Sequence, residues 1–225
     1  VTITAPVSTE ATASPSGVYL PQQDSRLLVD TLKRTVEVAG RSVLDLCTGS
    51  GFVAIAAARL RASVVQAWDV CPEAVRHSRR AVVDARVQVD VRLGSWERSV
   101  GHRRFDVVLA NPPYVPVGPG QAPVAGPAWA WDAGPDGRLV IDPLCAAAPE
   151  LLADGGSLLL VQSEFTGVTE SLAALRSGGL HAEVAARQRI PFGPVLTSRA
   201  RWLEDVGLAP IGCRDEELVV IRADA

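Results

Sequence analysis

The sequence predicts an α/β fold built around a mostly parallel sheet. Short apolar runs alternate with helix-length segments along most of the 225 residues, and a glycine turn joins the first run to a helix. The length and the 48% hydrophobic content suit one domain with one sizeable core.

The elements follow in order. VTITAPVSTEATASP, residues 1–15, is small, polar and proline-interrupted, and is expected to be a flexible tail to a single domain over 16–225. Leu27, Leu28, Thr31, Leu32 and Val36 have helical spacing, with Asp24 or Ser25 as the candidate cap. SVLDLC (42–47) is a strand, GFVAIAAARLRA a helix opening on glycine, and SVVQAWDV (63–70) a second strand. A helix over 72–84 and strands at 87–93 and 105–110 come next. A loop over 112–137, rich in proline and glycine, is too long for an idle connection. A helix over 138–153, a turn at Asp154-Gly155-Gly156, a strand SLLLVQS (157–163), a helix over 167–177 and a strand over 181–186 continue the alternation. Residues 187–213 interrupt it with a variable insert, containing a helix around SRARWLEDVG, before the closing strand ELVVIRA.

Composition narrows the function. A net charge of −3 provides no basic field for nucleic acid, and only Lys33 among the 22 basic residues is lysine, which points to codon usage rather than polyanion capture. Cys47, Cys71, Cys145 and Cys213 lack CxxC spacing and are not grouped with His77, His102 or His181, so no metal site is expected. No run approaches the roughly 18 apolar residues of a membrane span, and a cytoplasmic location is expected.

LDLCTGSGFVAIA sets Asp45, Cys47, Gly49 and Gly51 at a strand-to-helix turn, with Asp69 closing the next strand. GSGFVA also fits a dinucleotide fingerprint, and Asp69 stands where either kind of cofactor would have its ribose held. Asp45 favours S-adenosyl-L-methionine over NAD, because a carboxylate just upstream of the glycines repels a pyrophosphate and attracts an ammonium group.

FDVVLANPPYVP forms the second site. Prolines cannot donate to a ladder, so the strand must stop by Asn111, and the residue before a proline is held extended. A planar nitrogen is a poor nucleophile because its lone pair is delocalised. Gripping its two N–H bonds, one at the Asn111 side-chain oxygen and one at the Pro112 carbonyl, aims the remaining orbital. Tyr114 can cover the planar group by stacking. No strong base is needed, since the proton becomes acidic only as the nitrogen becomes positive.

These motifs resemble the class I methyltransferases of the HemK/PrmC type, which methylate glutamine amides in release factors. GVYLPQQDSRLLVDTL resembles the segment before the family's first strand, DLCTGSG its cofactor loop, DVCPEAV the end of its second strand, GSWERSV its adenine loop and ANPPYVP its catalytic turn. AWDAGPDGRLVIDPLCAAAPELLADGGSLLLV is similar to the short branch, which lacks the N-terminal helical domain. The resemblance implies a Rossmann-like seven-stranded, mostly parallel sheet with helices on both faces and an antiparallel last strand. It implies cofactor contacts from Ser25, Asp45, Cys47, Gly49, Gly51, Asp69, Ser95, Trp96 and Asn111, and a substrate amide held by Asn111, Pro112, Pro113 and Tyr114. Asn111, Pro112 and Tyr114 are the implied catalytic residues. It also raises a small activating subunit. Cys47 replaces a frequent first glycine, and Ser95 replaces an aspartate, leaving the adenine to pack on Trp96. Residues 187–213 match nothing in the family, and are expected to fold over the site and shape substrate choice. A protein glutamine of the release-factor type is the favoured acceptor; an adenine exocyclic amine or a small molecule is the alternative.

Overall fold

The computed structural model describes residues 18–99, 103–118 and 130–225; the expected tail, 1–15, lies outside them. In chain order the elements are α1 (Gln23–Thr35), β1 (Ser42–Leu46), α2 (Phe52–Arg59), β2 (Val64–Asp69), α3 (Pro72–Ala85), β3 (Asp90–Leu93), β4 (Phe105–Ala110), α4 (Ile141–Leu151), β5 (Leu152–Ser163), α5 (Val168–Ser177), β6 (His181–Pro191), α6 (Pro194–Asp205) and β7 (Asp215–Asp224). The strands form one seven-stranded sheet in the order β3-β2-β1-β4-β5-β7-β6. β1 to β5 pair in parallel, and β7 runs antiparallel to both β5 and β6. α2 packs on α1 and on α3, and α4 packs on α5, so the sheet has helices on both faces.

The central strands are apolar on both faces because helices cover both. All of β1 is buried, and so are Val107, Val108, Leu109 and Ala110 of β4. Each large side chain of this kind contributes roughly 1.5–3 kcal/mol by leaving water. β4 stops at Ala110, one residue before Asn111, as the two prolines require.

Several boundaries differ from the sequence reading. The N-cap of α1 is Gln22, not Asp24 or Ser25; Asp24 lies inside the first turn, where its carboxylate is committed elsewhere. β3 is shorter than 87–93, and α4 starts at Ile141 rather than 138. Arg138, just before α4, is held instead by Asp142 and by the carbonyls of Thr166 and Gly167. The expected turn at 154–156 is an irregularity within β5: Phe105 pairs with Leu152 and Val107 with Ser157, so the extra residues loop out opposite β4. β6 does not stop at 186. It continues to Pro191, paired with Asp215, so the first part of the expected insert belongs to the sheet, and α6 begins at Pro194.

Candidate active site

Sheet register aligns three strand ends. Leu46 pairs with Trp68 on one side and with Ala110 on the other, so Cys47, Asp69 and Asn111 leave β1, β2 and β4 side by side at the carboxyl edge of the sheet. With strands about 4.8 Å apart, the row spans roughly 10 Å. It lies where the strand order reverses about β1, the usual crevice of an open parallel sheet.

On the β1 side, the turn needs left-handed backbone. Gly49 and Gly51 have φ of 53° and 81°, and a Cβ on Gly51 would press on Ser78 at 3.1 to 3.3 Å. Cys47 also has a positive φ, 58°, so the cysteine carries strain of about 1–2 kcal/mol. Burial pushes its thiol well up, so it stays protonated. Asp45 is enclosed, and its Oδ2 accepts from Thr48 Oγ1 at 2.6 Å and Ala54 N at 3.1 Å. Burial raises its carboxyl to about 7, and the two hydrogen bonds only partly offset this. Asp45 therefore holds the loop from beneath, and an ammonium group could feel its charge only across the loop.

Asp69 caps the row on the β2 side. Its Oδ2 accepts from Gly49 N at 2.8 Å and its Oδ1 from Cys71 N at 2.9 Å, while burial raises its pKa. Each carboxylate oxygen keeps a lone pair for a ligand hydroxyl. Gly94 N donates to Asp69 O, which fastens the loop bearing Ser95 next to Asp69; the Ser95 hydroxyl donates to Glu97. Trp96 begins a short 3-10 turn, and its side chain lies outside the described residues.

Asn111 Nδ2 donates to Ser25 Oγ at 3.1 Å. Ser25 N and Oγ both donate to Asp24 Oδ1, at 2.5 and 3.2 Å. Asp24 Oδ2 accepts from Tyr114 at 3.0 Å and Tyr19 at 2.7 Å. Pro112 is buried and Pro113 half-buried. The Tyr114 ring is 9% exposed and packed in the core, with its hydroxyl on Asp24, so the structure uses it as an anchor rather than as the stacking face that the sequence suggested.

Ser25, Cys47, Gly49, Asp69 and Asn111 thus converge, while Asp45 and Tyr114 support the site from behind. Asp24, Tyr19, Thr48 and Ser78 were not singled out for the site from sequence. Ser78 Oγ donates to Gly49 O at 2.8 Å. Only the adjacency of Asp24 to Ser25 in the chain could have drawn attention to one of them.

The segment after Asn-Pro-Pro-Tyr lies parallel to residues 131–134: Val115 N donates to Trp131 O, Ala133 N to Val115 O and Val117 N to Gly134 O. α6 closes on it. Arg199 donates to Pro116 O at 3.0 Å and pairs with buried Asp132 Oδ1 at 2.6 Å, and Trp202 lies against Gly118. Among the described residues no group of His, Cys, Asp and Glu could hold a metal, and no helix is long and apolar enough to cross a membrane.

The row of strand ends thus carries a left-handed glycine turn, a carboxylate at Asp69 with a lone pair left on each oxygen, and an oriented amide opposite. The profile of the methyltransferase small domain matches residues 16–122. A putative protein N5-glutamine methyltransferase of Methanocaldococcus jannaschii is 32% identical over 184 residues, 81% of this chain and 91% of that protein. A release factor glutamine methyltransferase of Mycolicibacterium smegmatis is 30% identical over 82% of this chain and 68% of its own. Among solved structures, the E. cuniculi Mtq2-Trm112 complex, described as responsible for methylation of the eRF1 translation termination factor, superposes with a TM-score of 0.63 at 25% identity, covering 92% of this chain and 98% of that one.

Proposed function

From the premise that this chain belongs to the HemK/PrmC-type class I methyltransferases, we propose that it transfers the methyl group of S-adenosyl-L-methionine to the side-chain amide nitrogen of a protein glutamine. The observation that carries the reading is the orientation of Asn111: with Nδ2 committed to Ser25, its Oδ1 is the atom left to accept a substrate N–H.

Asp69 would hold the ribose hydroxyls, the turn at Gly49 and Gly51 the amino-acid end, and the Ser95-Trp96 loop the adenine. When bound, the cofactor supplies an electrophilic methyl group. Asn111 Oδ1 and the Pro112 carbonyl accept the two amide N–H bonds, which orients the nitrogen lone pair and stabilises the charge that develops on it. A nearby base is not required, because the nitrogen becomes acidic only after attack and water can take its proton.

A release factor is the proposed substrate, from the printed activities of the relatives and of Mtq2. The Mtq2 complex also supports a small activating subunit. The proposed location is the cytoplasm, where such a substrate would be met.

The test incubates the chain, alone and with a Trm112-type subunit, with methyl-labelled cofactor and purified release factor, followed by mass spectrometry of the product. Label on a glutamine side chain, absent with Asn111→Ala, is expected. Label only on adenine in DNA, or only on small molecules, would overturn the choice of acceptor.

A further inference from the structure

One carboxylate reaches both ends of the Asn-Pro-Pro-Tyr turn. Asp24, 3% exposed on α1, binds Tyr114 directly through Oδ2 and binds Asn111 through Ser25 on its Oδ1 side. Tyr19 supplies a further donor to Oδ2. Burial pushes the hydroxyls of Tyr19 and Tyr114 well up, which keeps them as donors.

The direction of each bond follows from chemistry. An ionised carboxylate only accepts, so the single Ser25 hydroxyl proton points to Asp24, and Ser25 Oγ presents a lone pair to Asn111. Only the amide nitrogen of Asn111 can meet that lone pair; the reversed amide would set oxygen against oxygen. Asp24 therefore decides which way Asn111 faces. The same chain polarises the amide, since each bond ending on a carboxylate strengthens the next and leaves Asn111 Oδ1 a better acceptor.

We propose that Asp24 is a positioning residue for the transfer, acting through Ser25 to orient and polarise the Asn111 amide and through Tyr114 to fix the far end of the turn. This rests on the reading of Asn111 as the group that grips the acceptor nitrogen. Asp24 itself touches neither substrate nor cofactor in this role. A carboxylate in the first turn of α1 also suits the helix dipole, by about 0.3–1 kcal/mol, so the test reads the Asn111 amide itself rather than stability.

The experiment uses Asp24→Asn and, in case that variant folds poorly, Ser25→Ala, which removes the relay with a smaller change. The side-chain 15N–1H signals of Asn111 are identified by their loss in Asn111→Ala and followed without any cofactor. In both variants these signals should shift and exchange with water at least tenfold faster. Single-turnover transfer by Asp24→Asn should fall by about ten- to a hundredfold, the effect of one hydrogen bond to a charged group, with S-adenosylhomocysteine affinity kept within a few-fold. Unchanged Asn111 signals in both variants, or transfer by Asp24→Asn at the parent rate, would overturn the inference with the functional reading intact. A parent chain that labels no glutamine overturns the functional reading itself, and the inference with it.

Discussion

Asp69 Oδ2 accepts a hydrogen bond from Gly49 N at 2.8 Å, so the acid that ends β2 also fixes the glycine turn that follows β1. Asp69→Ala removes the proposed ribose acceptors and frees the turn together. S-adenosylhomocysteine affinity should fall at least tenfold, about 1.5–3 kcal/mol, in a calorimetric titration. Unchanged affinity, or tighter binding of NAD than of S-adenosylhomocysteine, would refute the cofactor assignment.

Asn111→Ala separates binding from transfer. Its grip matters most as the nitrogen becomes positive, so single-turnover transfer should drop by roughly a hundred- to a thousandfold, or about 3–4 kcal/mol, while cofactor affinity changes little. Asn111→Asp keeps an acceptor of the same shape and should retain some transfer. Near-parent rates in Asn111→Ala would reduce the turn to a strand cap.

Cofactor binding should depend on pH through Asp45. Its carboxyl lies at about 7 because it is buried, and a cationic ligand beyond the loop favours the ionised form. Affinity for S-adenosyl-L-methionine should rise from pH 6 to pH 8 and flatten in Asp45→Asn, as measured by calorimetry. A parallel profile in the variant would assign the pH effect elsewhere.

Arg199 and Asp132 form a pair across two segments, with side chains 15% and 2% exposed. Arg199→Ala leaves a buried carboxylate without its cation and should cost about 3–5 kcal/mol in urea unfolding. The double variant with Asp132→Ala should recover part of that loss. If the costs of the two single changes simply add, the pair contributes no coupling.

Glu216, 5% exposed with Oε2 lacking a hydrogen bond, lies near Ser163, Asp24, Glu164, Tyr19 and Tyr114. Burial first, with the charges of Asp24 and Glu164 adding, lifts its carboxyl from 4.5 to about 7, against a lowering hydrogen bond from Ser163. A raised carboxyl favours the fold below its unfolded pKa, and that benefit is lost as pH rises through the folded one. Between pH 4.5 and 8 this amounts to about 3 kcal/mol. Glu216→Gln should therefore lose less stability than the parent over that interval in denaturant melts, though Asp45 keeps a slope of the same sign.

The Asn-Pro-Pro-Tyr turn and the glycine loop were legible because their constraints are local: prolines end a strand wherever they fall, and positive φ selects glycine. Asp24 was not legible, because its role depends on Tyr114, 90 residues away, and on Ser25 meeting Asn111 across 86. The end of β6 was hidden for a different reason. Arg187 and Arg189 pair with Glu217 and Asp215 on β7, and charged side chains on an exposed edge erase the apolar alternation that marks a strand.

β7 follows β6 in the chain yet lies between β5 and β6. While the polypeptide is being synthesised, β6 therefore has no neighbour to join, and the outer edge of β5, with its wholly buried Leu158, Leu159, Leu160 and Val161, waits unpaired until β7 emerges. At ~5–20 residues per second that interval is short, but a ribosome stalled anywhere in α6 would hold a sticky strand edge open to neighbouring chains. A nascent chain arrested there is the form that most needs a chaperone.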